Sequence, residues 1–334
     1  MAERAAQIDA FLMACGWADA ARAPLAGDAS FRRYCRLARD GKTRMLMDAP
    51  PPQEDVRPYL AVARHLRALD FSAPAIIAAE EETGLLLIED FGDGTFTRLL
   101  AKGESERALY EMAIDVLIAL HRRFDAAHAP WLPPYDDTRL LNEAALLVDW
   151  YLPAITGEPT PPGLRAEYLD LWRALFPVAR AVPSSLVLRD YHVDNLMRIE
   201  GRGGLAACGL LDFQDAVLGP VTYDLVSLLE DSRREIDPDL VAAMYARYAA
   251  AFPEIDRAAL DASYVVLGAQ RHCKVIGIFT RLCRRDGKPR YLAHIPRLWR
   301  LLDGNFRHPV LAPVKAWLDR NIPPEMRRIP AVTP

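Results

Sequence analysis

The sequence predicts an α+β protein of two lobes, a small antiparallel-sheet lobe followed by a larger, mainly helical one. Three observations carry this. Short alternating runs separated by Gly- and Asp-containing turns crowd roughly the first 90 residues. Beyond them, apolar residues recur at helical spacing in long segments. A chain of 334 residues with 51% hydrophobic content is also long enough to divide its core in two. The spacing sets the lobes at residues 1–91 and 92–334.

The elements follow in order. An N-terminal helix is expected near Ala5 to Ala14, then a hairpin of Phe31 to Ala38 and Thr43 to Asp48 about the turn Arg39-Asp40-Gly41-Lys42. After Pro50-Pro51-Pro52, the stripe Leu60, Ala63, Leu66, Leu69 predicts a helix over Glu54 to Leu69, with Gln53, Glu54 and Asp55 suited to its start. Strands Ala75 to Ala79 and Leu85 to Glu89, joined by Glu81-Glu82-Thr83-Gly84, bring the strands placed to four in a lobe expected to hold five by about residue 90. Helices then span Arg107 to Phe124, Arg139 to Leu152, Glu167 to Val182, Thr222 to Ser232, Pro238 to Phe252, Arg257 to Arg284, Tyr291 to Gly304 and Pro313 to Asn321, with a loop over Pro153 to Gly163.

One hairpin interrupts the helices. Asn195 to Ile199 and Leu205 to Leu211 are apolar runs about the turn Glu200-Gly201-Arg202-Gly203-Gly204. Two strands there return Asp212 beside Asn195. Asp190 precedes Asn195 by five positions, in Leu188-Arg189-Asp190-Tyr191-His192-Val193-Asp194-Asn195. An Asp, then an Asn, then a second Asp brought back by a hairpin is the order that phosphoryl transfer requires. One carboxylate orients and deprotonates the accepting hydroxyl, while an amide oxygen and a second carboxylate hold Mg²⁺ across the phosphates. Each motif alone is commonplace; the hairpin joining them makes the reading specific. The catalytic candidate is therefore Asp190, and the metal candidates are Asn195 and Asp212.

Bulk properties exclude other classes. A formal charge of −4 gives no basic footprint for nucleic acid or for an anionic membrane surface. No apolar run approaches the roughly 18 residues of a membrane span, and the N-terminus lacks a hydrophobic signal core, so a cytoplasmic monomer is expected. The five cysteines form no C-x-x-C pair and the seven histidines no H-E-x-x-H pattern, which argues against structural zinc. Gly41-Lys42-Thr43 is no P-loop, since the required upstream glycine is Arg36.

The wording of the motifs resembles the aminoglycoside phosphotransferase and choline kinase superfamily. Leu188 stands where protein kinases carry His, His192 lies two residues after the Asp, Gln214 replaces the Gly of D-F-G, and Asp215-Ala216-Val217-Leu218-Gly219-Pro220-Val221-Thr222-Tyr223-Asp224 continues the likeness. The resemblance implies a two-lobed, protein-kinase-like fold, with ATP and Mg²⁺ as cofactors and His192 as a second catalytic candidate beside Asp190. Gly27-Asp28-Ala29-Ser30-Phe31-Arg32-Arg33-Tyr34, Met47-Asp48-Ala49-Pro50-Pro51, Leu211-Asp212-Phe213-Gln214-Asp215-Ala216 and Gln270-Arg271-His272-Cys273-Lys274 are similar to the bacterial anomeric sugar kinases of cell-wall recycling. Those enzymes phosphorylate N-acetylmuramate or N-acetylglucosamine, so a small-molecule sugar is the implied partner. The alternatives are a phosphotransferase for an aminoglycoside, choline or a similar metabolite, and a catalytically silent nucleotide-binding regulator.

Nucleotide contacts are expected from Ser30 in a small-residue loop, from Arg32 or Arg33, and from the hinge Glu89-Asp90-Phe91-Gly92, where Glu89 and Phe91 meet the adenine. The kinase strand lysine and its helix glutamate are both missing: Thr43-Arg44-Met45-Leu46-Met47-Asp48 has no Lys, and Leu60-Ala61-Val62-Ala63-Arg64 no Glu. Arg32 and Arg33 point to opposite faces, so only one can replace the lysine. Acceptor contacts are expected from Glu143, Trp150, Gln214, Asp215, Arg271 and Lys274. Arg271 and Lys274 are costly on an otherwise apolar helix unless they pair or face a cavity.

Overall fold

The computed structural model describes residues 2–25 and 31–332. Its contacts gather into two compact units. One comprises the residues up to Arg123 together with His192–Ala216, the other Phe124–Tyr191 together with the residues from Val217 on. This partition differs from a cut after residue 91. The hairpin carrying Asn195 and Asp212 and the helix ending at Arg123 group with the sheet, and the chain passes from one unit to the other between Tyr191 and His192.

In the first unit, α1 (Ala2–Ala14) leads to β1 (Ala21–Pro24), β2 (Arg33–Arg39), β3 (Lys42–Asp48), α2 (Arg57–Ala68), β4 (Ile76–Glu80) and β5 (Leu85–Glu89). The strands form one antiparallel sheet in the order β1-β2-β3-β5-β4. Phe11, Leu12 and Trp17 pack with Leu37, Leu46, Leu85 and Leu87, so α1 seals one part of the sheet with apolar burial. β1 is too short and exposed for its pattern to announce it in the sequence. α3 (Phe96–Ala101), capped by Thr95, and α4 (Glu106–Arg123) follow.

The hairpin differs in detail from the sequence expectation. β7 (Leu196–Arg198) pairs with β8 (Cys208–Leu210), and a 3₁₀ turn at Gly204–Ala207 takes the place of the expected strand start. Gly204 at φ +60 begins that turn, and the Ile199 amide closes it on the Ala207 carbonyl at 2.8 Å.

In the second unit, α5 (Asp137–Leu146), capped by Asp136, runs into a π-helical turn over Leu147–Tyr151 and then α6 (Leu152–Thr156), which ends on left-handed Gly157. The expected loop is therefore short. Pro162 lies in the first turn of α7 (Pro162–Ala179), where a proline costs no hydrogen bond, whereas Pro153 continues the helical run from α5 and has no N–H to donate to the preceding turn. β6 (Ser184–Val187) pairs with β9 (Val217–Pro220), and α8 (Thr222–Leu229), α9 (Pro238–Ala251), α10 (Arg257–Arg284), α11 (Ile295–Asn305) and α12 (Ala312–Asn321) complete the unit. α10 is almost wholly buried, and its Val266, Leu267, Cys273 and Ile276 join Trp172, Phe176, Trp299 and Trp317 in one large core. Among the described residues no helix is long and apolar enough to cross a membrane.

Candidate active site

Hairpin register brings the two metal candidates together within the first unit. The Leu211 amide donates to the Asn195 carbonyl at 3.0 Å, and Asn195 Nδ2 lies 3.5 Å from Asp212 Oδ2. Asp212 takes φ +58, a conformation Asp tolerates better than most residues, and leaves its carboxylate 41% exposed. Gln214 Nε2 donates to Asp212 Oδ1 at 3.1 Å and approaches Asp215 Oδ2 at 3.4 Å. The buried His192 ring lies 3.5 Å from Asn195 Nδ2, and its carbonyl accepts from the Asn195 amide at 2.9 Å. One amide oxygen and one exposed carboxylate suit Mg²⁺, a hard cation commonly held by one or two protein oxygens plus phosphates and water. Among the described residues no group of three His, Cys, Asp or Glu side chains could hold a metal ion, which such a site does not need.

Arg32 and Arg33 separate as strand alternation requires. Arg33 is exposed at the start of β2. Arg32 reaches Asp212 Oδ1 with Nη2 at 3.1 Å and faces Glu54 with Nε at 3.7 Å. Burial alone would lower its pKa; Tyr34, Asp212 and Glu54 outweigh that and raise it. Ser30 lies outside the described residues. Glu89 is engaged by Arg202 and by the Ala75 amide. Phe91 packs with Met197 and Ile199 under Arg202, whose guanidinium lies 5.4 Å from the ring centre. Gly209 permits this, since a Cβ there would lie 2.8 Å from the Phe91 ring.

In the second unit Asp190 leaves β6 on a heavily fixed backbone. Arg189 adopts φ +72, an unfavourable region for a long side chain. Three groups hold it there. The fully buried Asp224 at the start of α8 accepts from the Leu188 and Arg189 amides at 2.6 and 2.9 Å. Ser227 donates to the Arg189 carbonyl at 3.3 Å, and Arg271 donates to Ser227 at 2.9 Å. The Arg189 guanidinium is clamped by Glu143. Burial pushes Asp224 up to about 7, against the pull of the two amides.

Glu143 is the centre of a buried cluster. Besides Arg189 it receives the Tyr135 hydroxyl and Lys274 Nζ at 3.0 Å, and Lys274 also donates to Tyr223 at 3.2 Å. Burial opposes charge on Glu143, but Lys274 and Arg189 outweigh it and hold the carboxyl below its usual range. α5 and α10 meet here in three rungs. Leu140 carbonyl accepts from Gln270, Glu143 pairs with Lys274, and the Leu146 backbone abuts Gly277, where a Cβ would fall 2.3 Å from the carbonyl. Trp150 is half-buried in the π turn.

Residues 22–261 match the phosphotransferase enzyme family. The chain belongs to that family. It is 40% identical to the N-acetylmuramate/N-acetylglucosamine kinase of Caulobacter vibrioides, over 98% of this chain and 99% of that protein. It is also 40% identical to the protein of the same name from Pseudomonas aeruginosa, over 86% of this chain and 85% of that one. The Plasmodium vivax ethanolamine kinase shares the fold at 10% identity, with a TM-score of 0.60 over 87% of this chain and 83% of that chain. Membership implies ATP as phosphoryl donor and typically Mg²⁺.

Several residues that shape this phosphotransferase were not singled out in the sequence as site residues. Ser227, Tyr135 and Tyr223 meet the Asp190 segment or Glu143 from distant positions, and no local pattern marks them. Asp224 was visible only as a helix-start Asp. Glu54 was read as a helix-start acid, whereas it faces Arg32 and accepts from the Phe31 amide at 3.3 Å.

Proposed function

We propose that this phosphotransferase transfers the γ-phosphoryl group of ATP to the anomeric hydroxyl of an N-acetylated amino sugar, N-acetylmuramate or N-acetylglucosamine, giving the sugar 1-phosphate in cytoplasmic peptidoglycan recycling. The observation that carries the reading is the 40% identity, over 98% of the chain, to a relative bearing that name, in a chain that keeps Asp190, Asn195 and Asp212. Asp190 accepts the proton of the hydroxyl as its oxygen bonds to the γ-phosphorus and the bond to the bridging oxygen of ADP breaks. A hemiacetal hydroxyl is more acidic than an ordinary alcohol, so one carboxylate suffices. Asn195 and Asp212 hold Mg²⁺, which neutralises charge on the phosphates. His192 and Gln214 fix those two ligands.

Arg32 meets the phosphates in place of the missing strand lysine, and the Glu89–Phe91 hinge takes the adenine. Trp150 and Asp215 are the acceptor residues of this reading. Glu143 is engaged by Lys274 and by Arg189, and Arg271 by Ser227, which donates to the Arg189 carbonyl; this supports a positioning role for the three in place of direct sugar contact. N-acetylmuramate and N-acetylglucosamine should drive ADP release, and their methyl glycosides, blocked at the reducing carbon, should not. Phosphorus NMR showing the product phosphorylated at the 6-position would remove the anomeric assignment and leave the kinase assignment standing.

A further inference from the structure

The missing lysine–glutamate pair leaves open what orients the cation that meets the phosphates. We infer that Glu54 is that positioning residue, and that Arg32 and Glu54 together form the phosphate grip of this chain; the inference rests on the phosphotransferase reading. Glu54 stands three residues before α2, outside the helix body where a kinase glutamate would be sought. One of its carboxylate oxygens accepts from the Phe31 amide at 3.3 Å, and the other lies 3.7 Å from Arg32 Nε. A single carboxylate thus holds the backbone before Arg32 and one edge of its guanidinium. The neighbouring terminal nitrogen, Nη2, reaches Asp212 Oδ1 at 3.1 Å.

Both side chains are largely buried, Arg32 at 12% exposure and Glu54 at 20%, so the pair is not an ordinary solvated surface bridge. The Tyr34 hydroxyl, pushed up to about 12 mainly by burial, stays neutral and bonds the same guanidinium. α2 is tied to the Asp212 turn at a second point, where Tyr59 stacks on Phe213 at 4.9 Å and 23°. Guanidinium is a rigid planar fork whose separate N–H donors can take separate carboxylates. With Glu54 on the Nε edge, Arg32 lies beside Asp212 without enclosing it, and Oδ2 faces Asn195 for the metal. Without Glu54 the guanidinium loses the carboxylate at Nε, and it would compete with Mg²⁺ for both oxygens of Asp212.

The test is equilibrium binding of a non-hydrolysable ATP analogue, with and without Mg²⁺, to wild type, Glu54→Gln, Arg32→Ala and the double variant. Glu54→Gln should weaken Mg²⁺-dependent binding about tenfold, as coupled contact residues do, and raise the KM for ATP similarly while changing kcat and the sugar KM little. The double variant should bind no worse than Arg32→Ala alone. Glu54→Asp, which keeps the charge and shortens the reach, should fall between, and serves if Glu54→Gln does not fold. Wild-type affinity in the Glu54 variants, or additive losses in the double variant, would overturn the inference. A wild type that binds no nucleotide would overturn the phosphotransferase reading as well.

Discussion

The Asn195–Asp212 hairpin and the Asp190 segment are held on opposite physical principles. The hairpin is local. Its two proposed metal ligands meet because β7 and β8 pair in register, and the Asp212 carboxylate stays 41% exposed. The Asp190 segment is held from afar, by Asp224 and Ser227 on α8, Arg271 and Lys274 on α10, and Glu143 on α5. All of these are buried. A locally built site can lose function without losing stability, whereas a site held by buried charge should lose both together.

The largest expected effect tests the first half. Asp212→Asn keeps a residue that tolerates φ +58 but removes the charged member of the proposed ligand pair, so Mg²⁺-dependent nucleotide binding and turnover should both collapse while the melting temperature stays near wild type. A large fall in melting temperature would show the hairpin to be less self-contained than its register implies. Next, Asp190→Asn should cut kcat by about 10²–10⁴ with nucleotide affinity kept, read by steady-state kinetics beside calorimetric titration. Near-wild-type turnover would take Asp190 out of the mechanism.

Lys274→Met inverts the pattern. It leaves Glu143 buried with one cation fewer, at a cost of about 3–5 kcal/mol for breaking a buried pair, measurable by urea unfolding, with a loss of kcat only as Arg189 loosens. An unchanged unfolding midpoint would mean that Arg189 and Tyr135 satisfy Glu143 unaided. The smallest effect belongs to Ser227→Ala, which strands the Arg271 donor and one acceptor at Arg189, at about 1–3 kcal/mol. Hydrogen exchange should then rise at the Leu188 and Arg189 amides before it rises in α8. Uniform exchange would argue that Asp224 alone fixes the backbone.

The same contrast explains what the sequence made legible. Asn195 and Asp212 were readable because hairpins are announced by nearby turn residues. The separation of Arg32 from Arg33 followed from strand alternation. The burial of Arg271 and Lys274 was readable as a cost, since charges on an apolar helix demand partners. The partner of Lys274, Glu143, lies more than a hundred residues away, and no periodicity joins the two. The hairpin's 3₁₀ turn and the π turn at Leu147–Tyr151 were missed for a related reason, since both are imposed by packing and chain closure. Glu54 escaped because its role depends on the fold of β2 and not on its position near a helix.

The three rungs between α5 and α10 fix how one helix is phased against the other. Gln270, Lys274 and Gly277 follow the i, i+4, i+7 line of a helix, opposite Leu140, Glu143 and Leu146 at i, i+3, i+6. One inserted residue between 270 and 277 would turn the later rungs by about 100°, swinging Gly277 away and driving a side chain into the Leu146 backbone. Length changes in this segment are therefore far less tolerable than substitutions, and chain length along α10 works as a gauge for the setting of Asp190.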